Sequence, residues 1–115
     1  MHSMPDWITG FPGAVTVSDV NHRVIFMNDA AARTWESRGG RALIGKDLLS
    51  FHNEHSRAII ENMLATGGTN VYTVEKNGVK KLIYQSAWRD SSGKVAGLAE
   101  LSLVLPDELP HMKRN

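Results

Sequence analysis

The sequence predicts an α+β fold in which a five-stranded antiparallel sheet carries helices on one face and an N-terminal helix on the other. Two observations lead to this prediction. Strand-like runs lie at both ends of the chain and helix-like segments lie between them, an order typical of helices packed against one face of an antiparallel sheet. The last strands are also apolar on both sides, so both faces of the sheet need cover.

The chain begins with a predicted short helix and a hairpin. We expect the helix over Trp7–Phe11, where Asp6 supplies a cap and apolar side chains share one side. The runs Ala14–Ser18 and Arg23–Met27 are strand-like, and the polar residues 19–22 between them favour a turn. These runs are therefore the first two strands of the sheet.

Helices fill the middle of the chain. Asn28 is a good cap for a helix that Gly39-Gly40 ends, and residues 45–49 suggest one isolated helical turn. The strongest helix pattern covers Glu54–Thr66, with Asn53 as its cap and an apolar stripe along one side. This long helix is the element that we expect to pack against the sheet.

Three strands complete the predicted sheet, over Thr69–Lys76, Val79–Arg89 and Lys94–Leu105. Asn77-Gly78 joins the first two, and this dipeptide strongly favours a two-residue hairpin turn. Because side chains alternate along a strand, each strand presents two different faces. One face of the last two strands carries Ile83, Gln85, Ala87, Leu98, Glu100 and Ser102, and the other carries Leu82, Tyr84, Ser86, Trp88, Ala99, Leu101 and Leu103.

The composition bounds what the chain does. Its 115 residues suffice for one domain, and 42% of them are hydrophobic, so we expect a packed core. We place that domain at residues 7–105, between polar tails over 1–6 and 106–115. The 13 Lys+Arg and 12 Asp+Glu residues leave a formal charge of +1, which argues against nucleic acid as a partner.

Several classes of site are excluded by what the sequence lacks. The chain has no cysteine, which excludes disulfides, thiolate metal sites and a cysteine nucleophile. No apolar run approaches the roughly 18 residues of a membrane span, and the N-terminus lacks the pattern of a signal peptide. We therefore expect a cytoplasmic protein that binds no membrane. Phosphate-binding loops and hydrolase motifs are absent as well, so we expect no enzyme.

Four segments, in this order and at these spacings, resemble the PAS domain family. They are Ala14–Asp19, Arg23–Ala31, Leu43–Leu48 before the long helix, and Trp88–Gly97 before the last strand. The similarity extends over about residues 7–105 and is greatest to the PAS domains of bacterial and archaeal sensors. The resemblance implies a sheet that cups a small-molecule pocket against the helices and a homodimer formed through the N-terminal helix and the outer sheet face. It also implies a role in signal transduction or transcription regulation through a downstream signalling protein.

The resemblance also bears on cofactors. The cysteinyl-flavin and the thioester-bound chromophores of some family members both need a cysteine, so its absence excludes them. Haem-binding members ligate iron through a histidine on the long helix, and His52 and His55 lie at the start of that helix. Two interpretations stay open: one of these histidines binds haem, or one packs near the helix start while the other is solvated. We expect no other metal site.

The resemblance and the alternation pattern together give two sets of candidate residues. We expect a small, mostly apolar ligand to contact His52, Ile60, Met63, Ile83, Gln85, Leu98 and Ser102. We expect the homodimer interface to contain Trp7, Ile8, Phe11, Tyr84, Trp88, Leu101 and Leu103. Within the first set the polar strand residues either bind a polar group of the ligand or bond to one another across strands, together with Glu100, unless Glu100 lies near the edge of the sheet and reaches water. A ligand-free dimerisation module with a filled core is the remaining alternative.

Overall fold

One antiparallel sheet organises the protein. The structure, a computed structural model, describes residues 4–115, so residues 1–3 of the predicted N-terminal tail lie outside the described part. The helices are α1 (Asp6–Thr9), α2 (Asp29–Thr34) and α3 (Glu54–Thr66), and the strands are β1 (Ala14–Asp19), β2 (Val24–Met27), β3 (Thr69–Lys76), β4 (Val79–Arg89) and β5 (Val95–Val104). The strand order is β2-β1-β5-β4-β3, and all neighbours are antiparallel. This arrangement confirms the predicted α+β fold class.

The second half of the chain folds as its local sequence predicts. The bounds of α3 match the prediction, and Asn53 caps the helix by accepting a hydrogen bond from the Ser56 N–H over 2.8 Å. Gly67, with a φ of 72°, ends it in the left-handed conformation that glycine adopts at low cost. The β3–β4 turn has positive φ at both Asn77 (52°) and Gly78 (77°), as the two-residue turn of a twisted hairpin requires.

The first half departs from the prediction in two places. Helix α1 has only four residues and begins after Pro5, so Asp6 lies in its first turn and not at its cap. Helix α2 ends at Thr34, before the glycine pair, and two short 3-10 turns follow over 36–38 and 40–43. The single turn predicted over 45–49 is a 3-10 turn over 48–51. Among the helices of residues 4–115, none combines the length and apolar character that crossing a membrane requires.

The core lies between the sheet and α2 and α3. We call the sheet face toward these helices the inner face and the opposite one the outer face. Ile60 and Met63 of α3 pack with Leu98 of β5 and Met27 of β2, and each of the four is at most 2% exposed. The apolar stripe of the long helix is thus used for packing, as its periodicity predicts.

The outer face is covered only in part. The Phe11 and Leu103 side chains meet above Gly13, where a methyl group would lie 2.7 Å from Phe11 Cε2. Trp7, in contrast, is 72% exposed, and Tyr84 is 41% exposed. Within a single chain the cover therefore comes from Phe11 and not from Trp7, which leaves Tyr84 and its strand neighbour Val71 open.

Candidate functional site

A row of polar side chains crosses the inner face over four strands. The register pairs Thr16 with Glu100, Glu100 with Gln85, and Gln85 with Asn70. Gln85 Nε2 donates to Glu100 Oε2 over 2.8 Å, and Asn70 Nδ2 donates to Gln85 Oε1 over 3.0 Å. Because Gln85 is only 5% exposed, these two bonds satisfy both ends of a buried amide. Of the two uses predicted for the polar strand residues, bonding across strands is thus realised for Gln85 and Glu100.

Two cavities lie between this row and the helical side of the molecule. The first, which we call the helix lobe, has a volume of about 380 Å³ and is lined by His52, His55, Ser56, Ile59, Asn70, Tyr72 and Gln85. The second, the strand lobe, has a volume of about 330 Å³ and is lined by Ala14, Thr16, Thr34, Trp35, His52, Tyr72, Val74, Lys81, Ile83, Glu100 and Ser102. His52 and Tyr72 line both, so the lobes meet at these two side chains. Each volume lies at the lower end of the roughly 300–1,000 Å³ found for small-molecule sites.

His52 is held in place at the junction of the lobes. Its Nδ1 lies 2.9 Å from the Leu48 carbonyl oxygen. Since a carbonyl only accepts hydrogen bonds, Nδ1 carries the proton in this contact. The imidazole ring also lies 6.3 Å from the Trp35 ring, centroid to centroid, at a tilt of 50°. The aromatic wall of the strand lobe is therefore built from the loop before α3 and from the end of α2.

The charge of Glu100 reaches Tyr72 within the cleft. Burial is the larger cause that raises the pKa of the Tyr72 phenol above 10.0, and the Glu100 carboxylate is the second. Both causes act in the same direction because each disfavours a negative phenolate. Tyr72 is thus neutral at physiological pH and can donate a hydrogen bond into either lobe.

The structure brings together four of the seven predicted ligand-contact residues. His52, Ile83, Gln85 and Ser102 line one lobe or both. The other three, Ile60, Met63 and Leu98, are 1–2% exposed in the core and line neither lobe. Their inward position was correctly inferred from periodicity, but α3 lies so close to β5 at these residues that no cavity remains there. Ligand contact at these three residues stays a prediction that the cavity geometry does not support.

Several lining residues were missed by the sequence reasoning. Asn70 and Tyr72 are the clearest cases, because the predicted turn at Asn77-Gly78 already fixes the pairing of Asn70 with Gln85 and of Tyr72 with Ile83. That register was a usable signal. Trp35 had no such signal, since its position depends on where α2 ends and on the 3-10 turns that follow.

The two histidines of the haem hypothesis both line the helix lobe. No group of three or more His, Cys, Asp or Glu side chains within residues 4–115 is placed to hold a metal ion. Haem fits the cleft poorly as it stands, because a flat macrocycle needs one continuous slot and His52 and Tyr72 lie where the two lobes meet. Neither lobe exceeds 380 Å³.

Comparison with solved structures gives a consistent answer. The Aer2 receptor of Vibrio cholerae, described as a dual PAS-haem oxygen sensor, superposes with a TM-score of 0.62 at 19% identity, over 82% of this chain and 95% of that one. The PAS domain of the histidine kinase ThkA superposes with a TM-score of 0.65 at 13% identity, over 79% and 97%. This chain has a PAS-like fold.

A third neighbour is a longer chain. VqmA bound to DPO superposes with a TM-score of 0.66 at 18% identity, over 86% of this chain and 54% of VqmA. The PAS-like chain thus spans about half the length of VqmA. No protein-family model matches the sequence, and no curated protein matches it significantly. At these identities the comparisons establish the fold alone.

Proposed function

We propose that this chain is a PAS sensor domain that binds a small, mostly apolar molecule in the cleft between the sheet and α3. The observation that carries the proposal is the cleft itself: a strand lobe with apolar walls at Trp35, Tyr72 and Ile83, a more polar helix lobe beside it, and a hydrogen-bonded polar row on their floor. Such a combination, apolar walls with a few fixed polar groups, is typical of sites that orient a small ligand. The proposal involves no catalytic step.

The neighbours support a sensory role by analogy. VqmA has been solved bound to DPO and in a ligand-DNA complex, and Aer2 is described as an oxygen sensor. We propose that the signal leaves this chain through a homodimer interface on the outer face, around Tyr84, and reaches a downstream signalling protein. A dimer of VqmA has also been described. The open apolar surface at Tyr84 and Val71 supports this choice of interface.

A haem sensor is the second candidate. It is favoured by the likeness to Aer2 and by the presence of His52 and His55 in one lobe. Haem binding requires the two lobes to open into one slot, whereas a small apolar ligand can bind without such an opening. The ligand-binding proposal is therefore the more economical of the two.

Native mass spectrometry of freshly purified protein tests the proposal, because it reports cargo and oligomer together. We expect a dimer mass with a small non-covalent adduct that is released on activation. An adduct with the mass of haem and a Soret absorption band would favour the second candidate. A dimer that carries no adduct, and that takes up no ligand from a metabolite extract, would contradict the sensor proposal and indicate a ligand-free dimerisation module.

A further inference from the structure

Glu100 is a carboxylate on the floor of the strand lobe with incomplete pairing. One of its oxygens accepts from Gln85 Nε2, and no other hydrogen bond to its side chain occurs in the described part of the chain. The ion pair found among residues 4–115 joins Arg41 and Asp29 at the surface and does not involve Glu100. A half-buried carboxylate that accepts one hydrogen bond and faces no cation still has acceptor sites free for a ligand.

Lys81 is the cation that the lobe itself supplies. It lines the same cavity, but it pairs with Val104 whereas Glu100 pairs with Gln85. Along β4, Lys81 lies four residues from Gln85, the strand partner of Glu100, which is roughly 13 Å at the usual rise per residue. This separation agrees with the absence of an ion pair between them in the described residues. Lys81 therefore lies at the far end of the lobe and leaves the carboxylate to another partner.

The walls above Glu100 suit a flat, apolar group. Trp35, Tyr72 and Ile83 line the strand lobe beside Ser102 and Thr16. A ring placed there would contact aromatic and aliphatic carbon, and a positive nitrogen near the aromatic faces would gain cation–π attraction in addition to its pairing with the carboxylate. The raised pKa of the Tyr72 phenol is a second sign that the field of Glu100 acts across this space.

We infer that the strand lobe selects small aromatic or cyclic ligands that carry a protonated amine, with the ammonium group on Glu100 and the ring against Trp35 and Tyr72. This inference rests on the proposed function and specifies its ligand class. The lobe volume of about 330 Å³ has room for a ligand of roughly ten water-sized groups, at about 30 Å³ each. An anionic group at the Glu100 end of the lobe is disfavoured because it would face the carboxylate.

Three probes of matched shape test the inference on the full chain: phenethylamine, phenethyl alcohol and phenylacetate. Amide NMR shifts give the dissociation constant of each and locate it by the residues that move. We expect phenethylamine to bind about tenfold tighter than the alcohol or better, since a hydrogen bond between an ammonium group and a carboxylate is stronger than one from a neutral hydroxyl. Phenylacetate should bind more weakly than either.

Glu100→Gln removes the charge and keeps an acceptor for Gln85. We expect it to bring phenethylamine down to the affinity of the alcohol and to leave the alcohol unchanged. Glu75→Gln, the same change at an exposed residue of β3, serves as the control and should alter neither. The inference fails alone if the alcohol binds in the lobe as tightly as the amine, or if Glu100→Gln binds the amine like the wild type. If none of the three probes binds and the native mass spectrum is empty, the proposed function fails as well.

Discussion

Gln85 links the two lobes of the cleft at the scale of a single residue. Its Oε1 accepts from Asn70 on the helix-lobe side and its Nε2 donates to Glu100 on the strand-lobe side. The amide has one orientation that satisfies both partners, because Glu100 as a carboxylate only accepts and Asn70 donates through Nδ2. A ligand that replaced Gln85 as the partner of Asn70 or of Glu100 would leave one end of the Gln85 amide without a hydrogen bond.

The Tyr72 phenol provides a direct measure of the charge on Glu100. In a Tyr84→Phe background Tyr72 is the remaining one of the two tyrosines, so its phenolate absorbance can be followed alone on raising the pH. We expect Glu100→Gln to lower the Tyr72 pKa, and the pKa to stay above 10.0 because burial, the larger cause, persists. Glu75→Gln is again the control. An unchanged Tyr72 pKa in Glu100→Gln would contradict a charged Glu100 acting in the cleft.

The sign of the accompanying stability effect follows from the same shift. Because the Tyr72 pKa is higher in the folded than in the unfolded chain, its contribution to stability is complete below pH 10.0 and is lost as the pH rises through the folded value. Glu100→Gln should reduce the pH range over which this contribution is lost, since it brings the Tyr72 pKa of the folded chain closer to that of the unfolded chain.

At the scale of elements, Asn28 joins three parts of the fold. Its Oδ1 accepts from the Val15 N–H over 2.9 Å and from the Ala31 N–H over 3.0 Å, so it binds β1 and caps α2. Its Nδ2 donates to the carbonyls of Ile8, Phe11 and Gly13, over 3.2, 3.3 and 2.8 Å. The side chain is fully buried, and it is what attaches the short helix α1 and the segment after it to the sheet.

Asn28→Asp keeps the shape of this side chain and replaces the donor by an oxygen that faces three carbonyls. We expect a loss of about 3 kcal/mol or more in the free energy of unfolding, measured by urea denaturation, because a buried charge is left without donors on that side. Asn53→Asp is the matched control, since Asn53 caps α3 at the surface and Asp is an equally good cap. We expect this variant to change the free energy of unfolding by no more than about 0.5 kcal/mol. Equal losses in both variants would show that Asn28 does not hold α1 in place.

The elements that the sequence predicted well are those whose signals are local. The bounds of α3 and the β3–β4 hairpin follow from Asn53 and Asn77-Gly78, which act on their own neighbours along the chain. The attachment of α1 by Asn28 was missed, although Asn28 was correctly predicted to cap α2. Its contacts with Ile8 and Phe11 span 20 and 17 residues, and no local pattern encodes such a contact.

The same limit applies to the candidate site. Alternation along β4 and β5 placed Ile83, Gln85 and Ser102 on the inner face without any knowledge of the helices. Which inner-face residues line a cavity and which fill the core depends on the distance between α3 and the sheet. Leu98 is therefore a core residue, although the alternation along β5 places it on the same face as Glu100 and Ser102, which line the cleft.

At the scale of the whole molecule, β4 connects the cleft with the outer face. Ile83 and Gln85 point to the cleft, and Tyr84 between them points to the opposite side. A ligand that shifts β4 would alter both faces, and by linkage any effect of ligand on dimerisation equals the effect of dimerisation on ligand affinity.

Tyr84 is a better probe of the interface than Trp88, whose Nε1 donates to the Ser18 carbonyl over 3.0 Å within the same chain. Trp88→Glu would therefore disturb the sheet as well as any interface.

Tyr84→Glu tests the proposed dimer without this complication. Tyr84 is 41% exposed, so the monomer should tolerate the change, whereas a dimer would have to bury a charge against apolar neighbours. We expect the dimer dissociation constant, measured by sedimentation, to rise about 100-fold or more, which corresponds to about 2.7 kcal/mol. Val79→Glu is the control, because Val79 lies on the same strand with 44% exposure but at the hairpin tip, and it should leave the constant unchanged. A wild-type protein that is monomeric at micromolar concentration, or a Tyr84→Glu variant that dimerises like the wild type, would place the output of this domain on some other surface.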